Sequence, residues 1–470
     1  MILLLQYLPL LLICLASWYL SLCSNEFELF APVPIAFLGF TVSILLAIVG
    51  LTSWNTYTLS ARTWFIVLTG FIAMSLAGLS VSMVEKRYLV YPQHMKHSIS
   101  LIVIDKTKSI IIILIVVLAI VIRIIESYRL GADLGIEASS YADLSQRLRH
   151  AISTLYSTNA VKEGIGFSLV ERELEKCVNM IGFIAAFLAA NSIKDGYSAN
   201  ERKSLVFPVI ILLLCSIFQI LSGGRGMIFY WVISFFVYLS FHLYKDNHIE
   251  RRKDISFRLL MAGIVFGVFV AIFMYFAGGL VGRKARSSII EYVSFYFGGS
   301  IPSLSILCDS ILPTESIANG PTYVFHSVYL LLLKVHLINE LPAYSVFWVD
   351  CGGHTSNIFT CFGRYYVGYG LLGTFLLSFL SMVLLTIFYR WARYRNTPEL
   401  TVLAGYLCAY TFDCAREEFL FSRLIGSTQI INVLLLIVLT KFITHPDSLH
   451  NYINTLHNYI NRVVSKVHDS

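Results

Sequence analysis

Residues 205–243 read LVFPVIILLLCSIFQILSGGRGMIFYWVISFFVYLSFHL: two almost wholly apolar runs joined by the turn Ser222-Gly223-Gly224-Arg225-Gly226. Each run is long enough to cross a bilayer as a helix, which takes about 17–25 residues. The turn leaves no room for a soluble segment, so the runs form a helical hairpin. A guanidinium at this boundary needs a reason, because an Arg held at mid-bilayer costs roughly 2.5–3.5 kcal/mol. The flanking glycines remove Cβ atoms and allow positive φ, so a bulky anionic group can approach the backbone. Arg225 reads as an anion-binding residue at the mouth of a membrane enzyme. The plainer reading is an arginine snorkelling from a tight hairpin.

The rest of the 470-residue chain repeats this pattern, with 57% hydrophobic and 13% charged residues and a mean hydropathy of +0.73. Soluble domains carry about 25% charged residues, so the fold class is all-α and polytopic, a single integral membrane domain over 1–470. The formal net charge of +7 implies no nucleic-acid partner, because the bases gather in short loops between spans. The partner it implies is the lipid bilayer. Eleven spans are predicted, at about 2–22, 33–51, 63–84, 109–127, 177–193, 205–221, 227–244, 258–279, 371–389, 399–412 and 426–443.

With eleven spans, the basic loops 85–108, 194–204, 245–258 and 390–398 share one end. The positive-inside rule makes that end cytoplasmic, with the C-terminus inside and the N-terminus outside. Residues 23–32 fit least well, because they carry Glu26 and Glu28 and no base. The first span lacks the basic flank and small-residue site of a cleaved signal peptide.

Two long loops fall outside, 128–176 and 280–370. Connections of that length are usually functional. The second is rich in Tyr and Phe and is expected to fold as short helices on the membrane surface, where aromatic rings also suit sugar faces. Cys308, Cys351 and Cys361 share it, and a Cys351–Cys361 disulfide is one arrangement there. The tail, 444–470, duplicates a heptad, LHNYINT at 449–455 and LHNYINR at 456–462. Its apolar stripe suits an amphipathic helix on the cytoplasmic leaflet and carries no chemistry.

Four further motifs flank outer span ends. Arg283 and Arg286 form a basic cluster on the side where the charge rule does not want one, and the planar fork of Arg suits phosphate. Glu291, Tyr292 and Tyr296 follow in a stretch ending at Gly298-Gly299-Ser300; it reads either as a sugar platform or as an interfacial helix. Asn357, Thr360, Arg364, Tyr365 and Tyr366 lead into a late span, as substrate contacts or as an aromatic belt with small residues for packing. Asp413, Arg416, Glu417, Glu418 and Arg423 crowd the link between the last two spans, as a polar site or as a self-neutralising turn. Glu291, Asp350, His354 and Glu417 are the candidates for a proton acceptor. The sequence has no phosphate-binding loop of the Gly-Lys-Ser/Thr kind, no paired-His zinc pattern and no Asp-x-Asp, so neither cofactor nor metal is expected.

These features together resemble the O-antigen polymerases, the Wzy-type oligosaccharide repeat-unit polymerases of Gram-negative inner membranes. The resemblance rests on the Ser222–Gly226 turn, the Arg283/Arg286 pair, the Tyr296–Ser300 stretch, the element Asn357, Thr360, Tyr365, Tyr366 and Gly370, and the span count with two dominant outer loops. Where the resemblance leads one to expect an acid, this chain has Gly368. The resemblance implies a GT-C-like glycosyltransferase of the bacterial cell inner membrane that joins undecaprenyl-diphosphate-linked glycans, donor and acceptor alike, into O-antigen polysaccharide of the lipopolysaccharide. Transfer would be en bloc on the periplasmic side, with inversion and without metal. It implies Arg225, Arg283 and Arg286 at the departing diphosphate, a base among the four candidates, and Tyr292, Tyr296, Tyr365, Tyr366, Asn357, Thr360, Arg364, Arg416 and Glu417 around the sugars. A chain-length regulator protein is a partner implied by the resemblance alone. An O-antigen ligase would differ in its acceptor. A lipid-linked oligosaccharide flippase would carry charge inside the bundle, where the spans hold only Arg123.

Overall fold

The computed structural model describes residues 2–51, 58–88, 102, 104–157, 166–193, 199–223, 226–244, 249–280, 288–312, 320–342 and 347–445. Arg225, Arg283, Arg286 and the tail helix predicted beyond residue 445 lie outside the described residues. Among the described residues, ten helices are long and apolar enough to cross a membrane. They belong to α1 (Ile2–Ser24), α2 (Pro32–Gly50), α3 (Ala61–Tyr88), α4 (Lys106–Asp133), α6 (Leu169–Ile193), α7 (Ala199–Ser222), α8 (Gly226–Leu243), α9 (Ile249–Leu280), α13 (Thr360–Arg395) and α15 (Ser427–Thr444).

The remaining predicted span is α14 (Pro398–Phe412), of 15 residues. At 1.5 Å per residue it is about 22 Å long, short of the hydrocarbon thickness, and it is buried among α8, α13 and α15 rather than turned to lipid. The other helices are α5 (Tyr141–Ser157), α10 (Ile289–Gly298), α11 (Ser300–Ile306) and α12 (Gly320–Lys334). A two-stranded hairpin, β1 (Val349–Asp350) with β2 (Thr355–Ser356), precedes α13.

Two apolar cores carry the bundle. One joins α1, α2, α3, α11 and α13, with Phe40 stacked on Phe362 at 4.8 Å. The other joins α4, α6, α7, α8, α14 and α15 around Trp231, Tyr238 and Tyr406. They meet where α14 ends against α2, a contact so close that a Cβ on Gly39 would stand 2.1 Å from the Phe412 carbonyl oxygen. Outward faces such as Leu114, Leu118 and Ile125 of α4 and Val265, Phe269 and Phe276 of α9 are apolar and exposed, as a lipid-facing surface requires.

Several predicted boundaries shift. α4 runs on to Asp133 and α6 begins at Leu169, so part of the first outer loop is helix. α13 begins at Thr360, and the backbone breaks at Gly370 (φ 68, ψ −158), one residue before the predicted start of that span. The second loop does not simply lie on the surface: α11 is buried and α10 packs on α2, where a Cβ on Gly298 would meet the Ala47 nitrogen at 2.4 Å. The Cys351–Cys361 disulfide is not formed, since all nine cysteines are free thiols. Cys351 faces the Ser303 hydroxyl at 3.2 Å, whereas Cys361 is buried at the start of α13.

The segment with two acids and no base also finds its reason. Arg393 and Arg252 reach Glu28 at 2.7 and 3.5 Å, and Arg252 reaches Glu26 at 2.6 Å. Arg390 donates to Asn25 Oδ1. The α1–α2 link thus gathers the bases of the α8–α9 and α13–α14 ends. Burial opposes charge on Glu28, but Arg393, Arg390 and Arg252 outweigh it and hold the carboxyl below its ordinary value. Since the folded value is the lower one, the pair stabilises the fold at neutral pH, and this is lost as pH falls through the carboxylate range. Glu28→Gln, which removes the buried acid that Arg393 and Arg252 share and leaves Arg252 only Glu26 as an acid, should cost up to about 3–5 kcal/mol. Thermal unfolding in detergent should show a lowered Tm at pH 7 and a shrinking gap from wild type on acidification; a gap that widens would contradict this assignment.

Candidate functional site

The opposite end of the bundle holds α4's C-terminus, the α7–α8 turn, α10 to α12, the start of α13 and the link from α14 to α15. That last link, residues 413–426, is irregular: a 3-10 turn at Asp413–Ala415, a short stretch without regular structure, and a π turn at Leu420–Leu424. Irregular backbone within a membrane protein survives only where its polar groups are matched internally. Glu418 does this, accepting the Phe421 and Ser422 backbone N–H groups at 2.7 Å each while the Tyr365 hydroxyl donates to it at 3.2 Å. Burial raises the Glu418 carboxyl above its ordinary range.

Arg416 is the centre of this end. Its carbonyl accepts the Thr360 N–H at 3.0 Å, tying the link to α13. Its guanidinium donates to Asp413 Oδ1 at 3.0 Å and lies 4.3 Å from the ring centroid of Tyr296 on α10, a cation–π distance. Tyr230 of α8 donates to the other Asp413 oxygen at 2.7 Å. Burial pushes the Asp413 carboxyl up, against the pull of Arg416 and the Tyr230 hydroxyl. The Tyr296 hydroxyl in turn closes on the glycine turn: a methyl at Gly226 would stand 3.7 Å from it. The α7–α8 turn, α10 and the α14–α15 link, far apart in sequence, therefore meet at one place. Gly223 has φ +74, so the turn uses the conformational freedom that its glycines supply.

α10 carries a second arrangement on an adjacent face. Ser288 caps the helix by accepting the Glu291 N–H at 3.2 Å. The Glu291 side chain points to His354, with Oε1 3.0 Å from Nε2 and both groups about one quarter exposed. His354 stands at the tip of the β1–β2 hairpin, its backbone bonded both ways to Cys351 and its ring 4.6 Å from that of Phe295. Asp350 accepts the Gly353 N–H at 2.8 Å and so braces the hairpin. Two proton-acceptor candidates separated by 63 residues are thus a hydrogen-bonded pair. One turn of helix apart, Tyr292 and Tyr296 stack at 6.0 Å.

The other predicted contacts divide. Asn357 is exposed and Tyr366 half-buried, both near the start of α13. Tyr365 and Thr360 are each 2% exposed and pack in the interior. Thr360 holds φ +63, a conformation that costs a β-branched residue about 1–3 kcal/mol and here serves its bond to Arg416. Arg364 donates to the Tyr323 carbonyl at 3.0 Å and reaches Glu417 at 3.5 Å, and Glu417 is also bound by Arg423 at 2.5 Å. Glu417 is thus shared by two guanidinium groups, the arrangement that the self-neutralising reading of this turn describes.

Reading the sequence misses α5 and the residues that hold the turn from the other side. Tyr141 donates to the Leu221 carbonyl at 3.1 Å, and Arg123, paired with Glu171, reaches the Ser222 carbonyl at 3.4 Å. Arg149 lies against Gly223. The signal was present in the 3–4 spacing of Tyr141, Leu144 and Leu148, which marks an amphipathic helix. Comparison with known proteins yields no match: no family model, curated protein or solved structure is similar to this chain.

Proposed function

We propose that this chain is a membrane glycosyltransferase that moves a glycan from a polyprenyl-diphosphate carrier onto a second carrier-linked unit, as O-antigen repeat-unit polymerases do. One observation carries the reading: a single short helix, α10, presents the Glu291–His354 pair on one face and, on the next, the tyrosine that joins Arg416 to the glycine turn. Proton acceptor, aromatic surface and cation are the three things such a transfer needs.

The chemistry follows from the roles. The acceptor hydroxyl attacks the anomeric carbon of the donor as the bond from that carbon to the diphosphate oxygen breaks, and the bond pair leaves with the diphosphate. With a proton on Nε2, His354 is held by Glu291 in the tautomer whose Nδ1 takes the hydroxyl proton. Tyr292 and Tyr296 offer a stacked surface for sugar rings. The cations that would meet the growing negative charge are Arg416, across the Tyr296 ring, and, by their place in the sequence alone, Arg225 beside Gly226 and Arg283 and Arg286 before Ser288. Charged donors in a water-poor site stabilise such charge far better than they would in water. By the charge rule, the Glu28 end is cytoplasmic and this site periplasmic.

In cells lacking the native chain, Arg225→Ala at normal protein level should leave lipopolysaccharide core capped with a single repeat unit on gels. The expected loss is about 10²–10³-fold in polymer formation, with Arg225→Lys intermediate. A full ladder from Arg225→Ala would refute the reading, and uncapped core alone would indicate a ligase or a flippase instead. Glu291→Gln and His354→Ala should each lower polymerisation by about 10²–10⁴-fold. The double variant should be no worse than the weaker single one, because the two groups act as a unit; additive losses would separate their roles.

A further inference from the structure

Among the described residues two tryptophans are exposed, Trp348 at 54% and Trp391 at 45%, and their surroundings differ. Trp391 lies near the basic end of α13, against Phe388 at 5.7 Å and in a segment with Arg390, Arg393, Tyr394 and Arg395. Aromatic rings among bases are what a membrane boundary selects. Trp348 stands in the segment 347–357, FWVDCGGHTSN, which holds Asp350 and no Lys or Arg. A carboxylate beside the indole repels anionic lipid headgroups, so a lipid belt accounts poorly for this ring.

The β1–β2 hairpin sorts its side chains alternately to two faces, as strands do. Val349 pairs with Ser356 and Asp350 with Thr355. Val349 and Ser356 are buried and form the inward face, whereas Trp348, Asp350, Thr355 and Asn357 are all exposed and share the outward one. The hairpin is held still: Cys351 and His354 bond both ways through their backbones, Asp350 Oδ1 accepts the Gly353 N–H at 2.8 Å, and Phe347 packs edge-on against Tyr323 at 5.5 Å. A surface already ordered loses little entropy when something binds to it. Its chemistry is one broad aromatic face ringed by a hydroxyl, an amide and a carboxylate. A pyranose ring is the matching shape, because its C–H groups are drawn to the negative face of the indole. Its hydroxyls meet the rim: Asn357 offers a donor and an acceptor, and Asp350 keeps a second carboxylate oxygen.

We propose that this outward face is a subsite for a neutral sugar ring of the glycan, remote from the ring at which transfer occurs. This rests on the transfer reading above and says where the rest of the oligosaccharide is held. His354 stands at the tip of the same hairpin and turns toward Glu291 on α10. A glycan whose reacting sugar lies at the imidazole therefore runs from the tip along the hairpin. Residues 354 to 357 cover about 10 Å of extended chain, more than one sugar ring. Acidic sugars are disfavoured there, because Asp350 repels a second carboxylate.

The test is saturation-transfer NMR on the purified full chain, in a detergent without a sugar headgroup. The probes are millimolar methyl glycosides of neutral hexoses, of N-acetylhexosamines and of a hexuronic acid. At least one neutral glycoside should receive saturation from wild type, and the hexuronoside should receive none. Trp348→Ala should lower the signal about fivefold, Asn357→Ala should lower it less, and Trp348→Tyr should keep most of it. Trp391→Ala should match wild type. Trp348→Gln takes the place of Trp348→Ala should the alanine variant not elute as a folded species. No saturation of any neutral glycoside by wild type, an undiminished signal in Trp348→Ala and Trp348→Gln, an equal loss in Trp391→Ala, or a hexuronoside signal as strong as the neutral one overturns the proposal. If deleting the native chain leaves single-unit caps while Trp348→Ala binds glycosides as wild type does, this inference alone fails. If the deletion leaves a full ladder while Trp348→Ala loses glycoside binding, the sugar site stands and the transfer reading fails.

Discussion

A guanidinium withdrawn from water must be matched at once, and three stretches of chain meet around Arg416. Asp413 supplies the guanidinium's opposite charge and Tyr296 a ring face, while the Thr360 N–H bonds the Arg416 backbone carbonyl. These stretches belong to the α14–α15 link, to α10 and to α13. Removing one partner from a buried charge costs far more than the pair contributes, so the three must arrive together. The short α14, the inserted α10 and α11 and the strained Thr360 are all consequences of that requirement. A longer α14 would carry Asp413 and Arg416 past Tyr230 and Tyr296.

The two ends of the bundle handle charge differently. At one, Glu28 is almost wholly buried and neutralises arginines that hold α2, α9 and α13 in place. At the other, the charges are matched one by one by several acids and by ring faces: Arg416 by Asp413 and Tyr296, Arg123 by Glu171 and Phe167, and Arg364 and Arg423 by Glu417. One buried acid shared by several bases ties helix ends together, whereas separate pairs spread charge along the end where α10 meets the α7–α8 turn.

Much of the fold was legible in the sequence because a bilayer makes severe demands. Runs such as 205–221 and 227–244 have few alternatives to spanning helices, and alternation placed Glu26 and Glu28 at the basic end although their charge argued otherwise. The site was less legible. A Tyr- and Phe-rich amphipathic segment looks the same whether it lies on a membrane surface or packs into a bundle, so the burial of α11 and the packing of α10 on α2 could not be read. Glu291 and His354 were each visible as acceptors, but a contact across 63 residues depends on where a hairpin folds back. The burial of Tyr365 and Thr360 was hidden for a similar reason: an aromatic or hydroxyl near a span end looks alike whether it is exposed or packed on a neighbouring helix.

α10 also constrains how the two halves of the site can act. Residues i and i+1 of a helix point about 100° apart, so Glu291 and Tyr292 cannot serve the same atom. In the proposed transfer the acid–imidazole pair would work on one side of the sugar ring while the tyrosine and arginine side would hold what departs. An inverting transfer has this geometry, because nucleophile and leaving group occupy opposite faces of the anomeric carbon. A base on the Arg364–Glu417 side would be paired already with two cations, and Asp350 is committed to its own hairpin. Among the four acceptors the sequence offers, the one that the fold leaves both anchored and accessible is the His354 imidazole with Glu291 behind it.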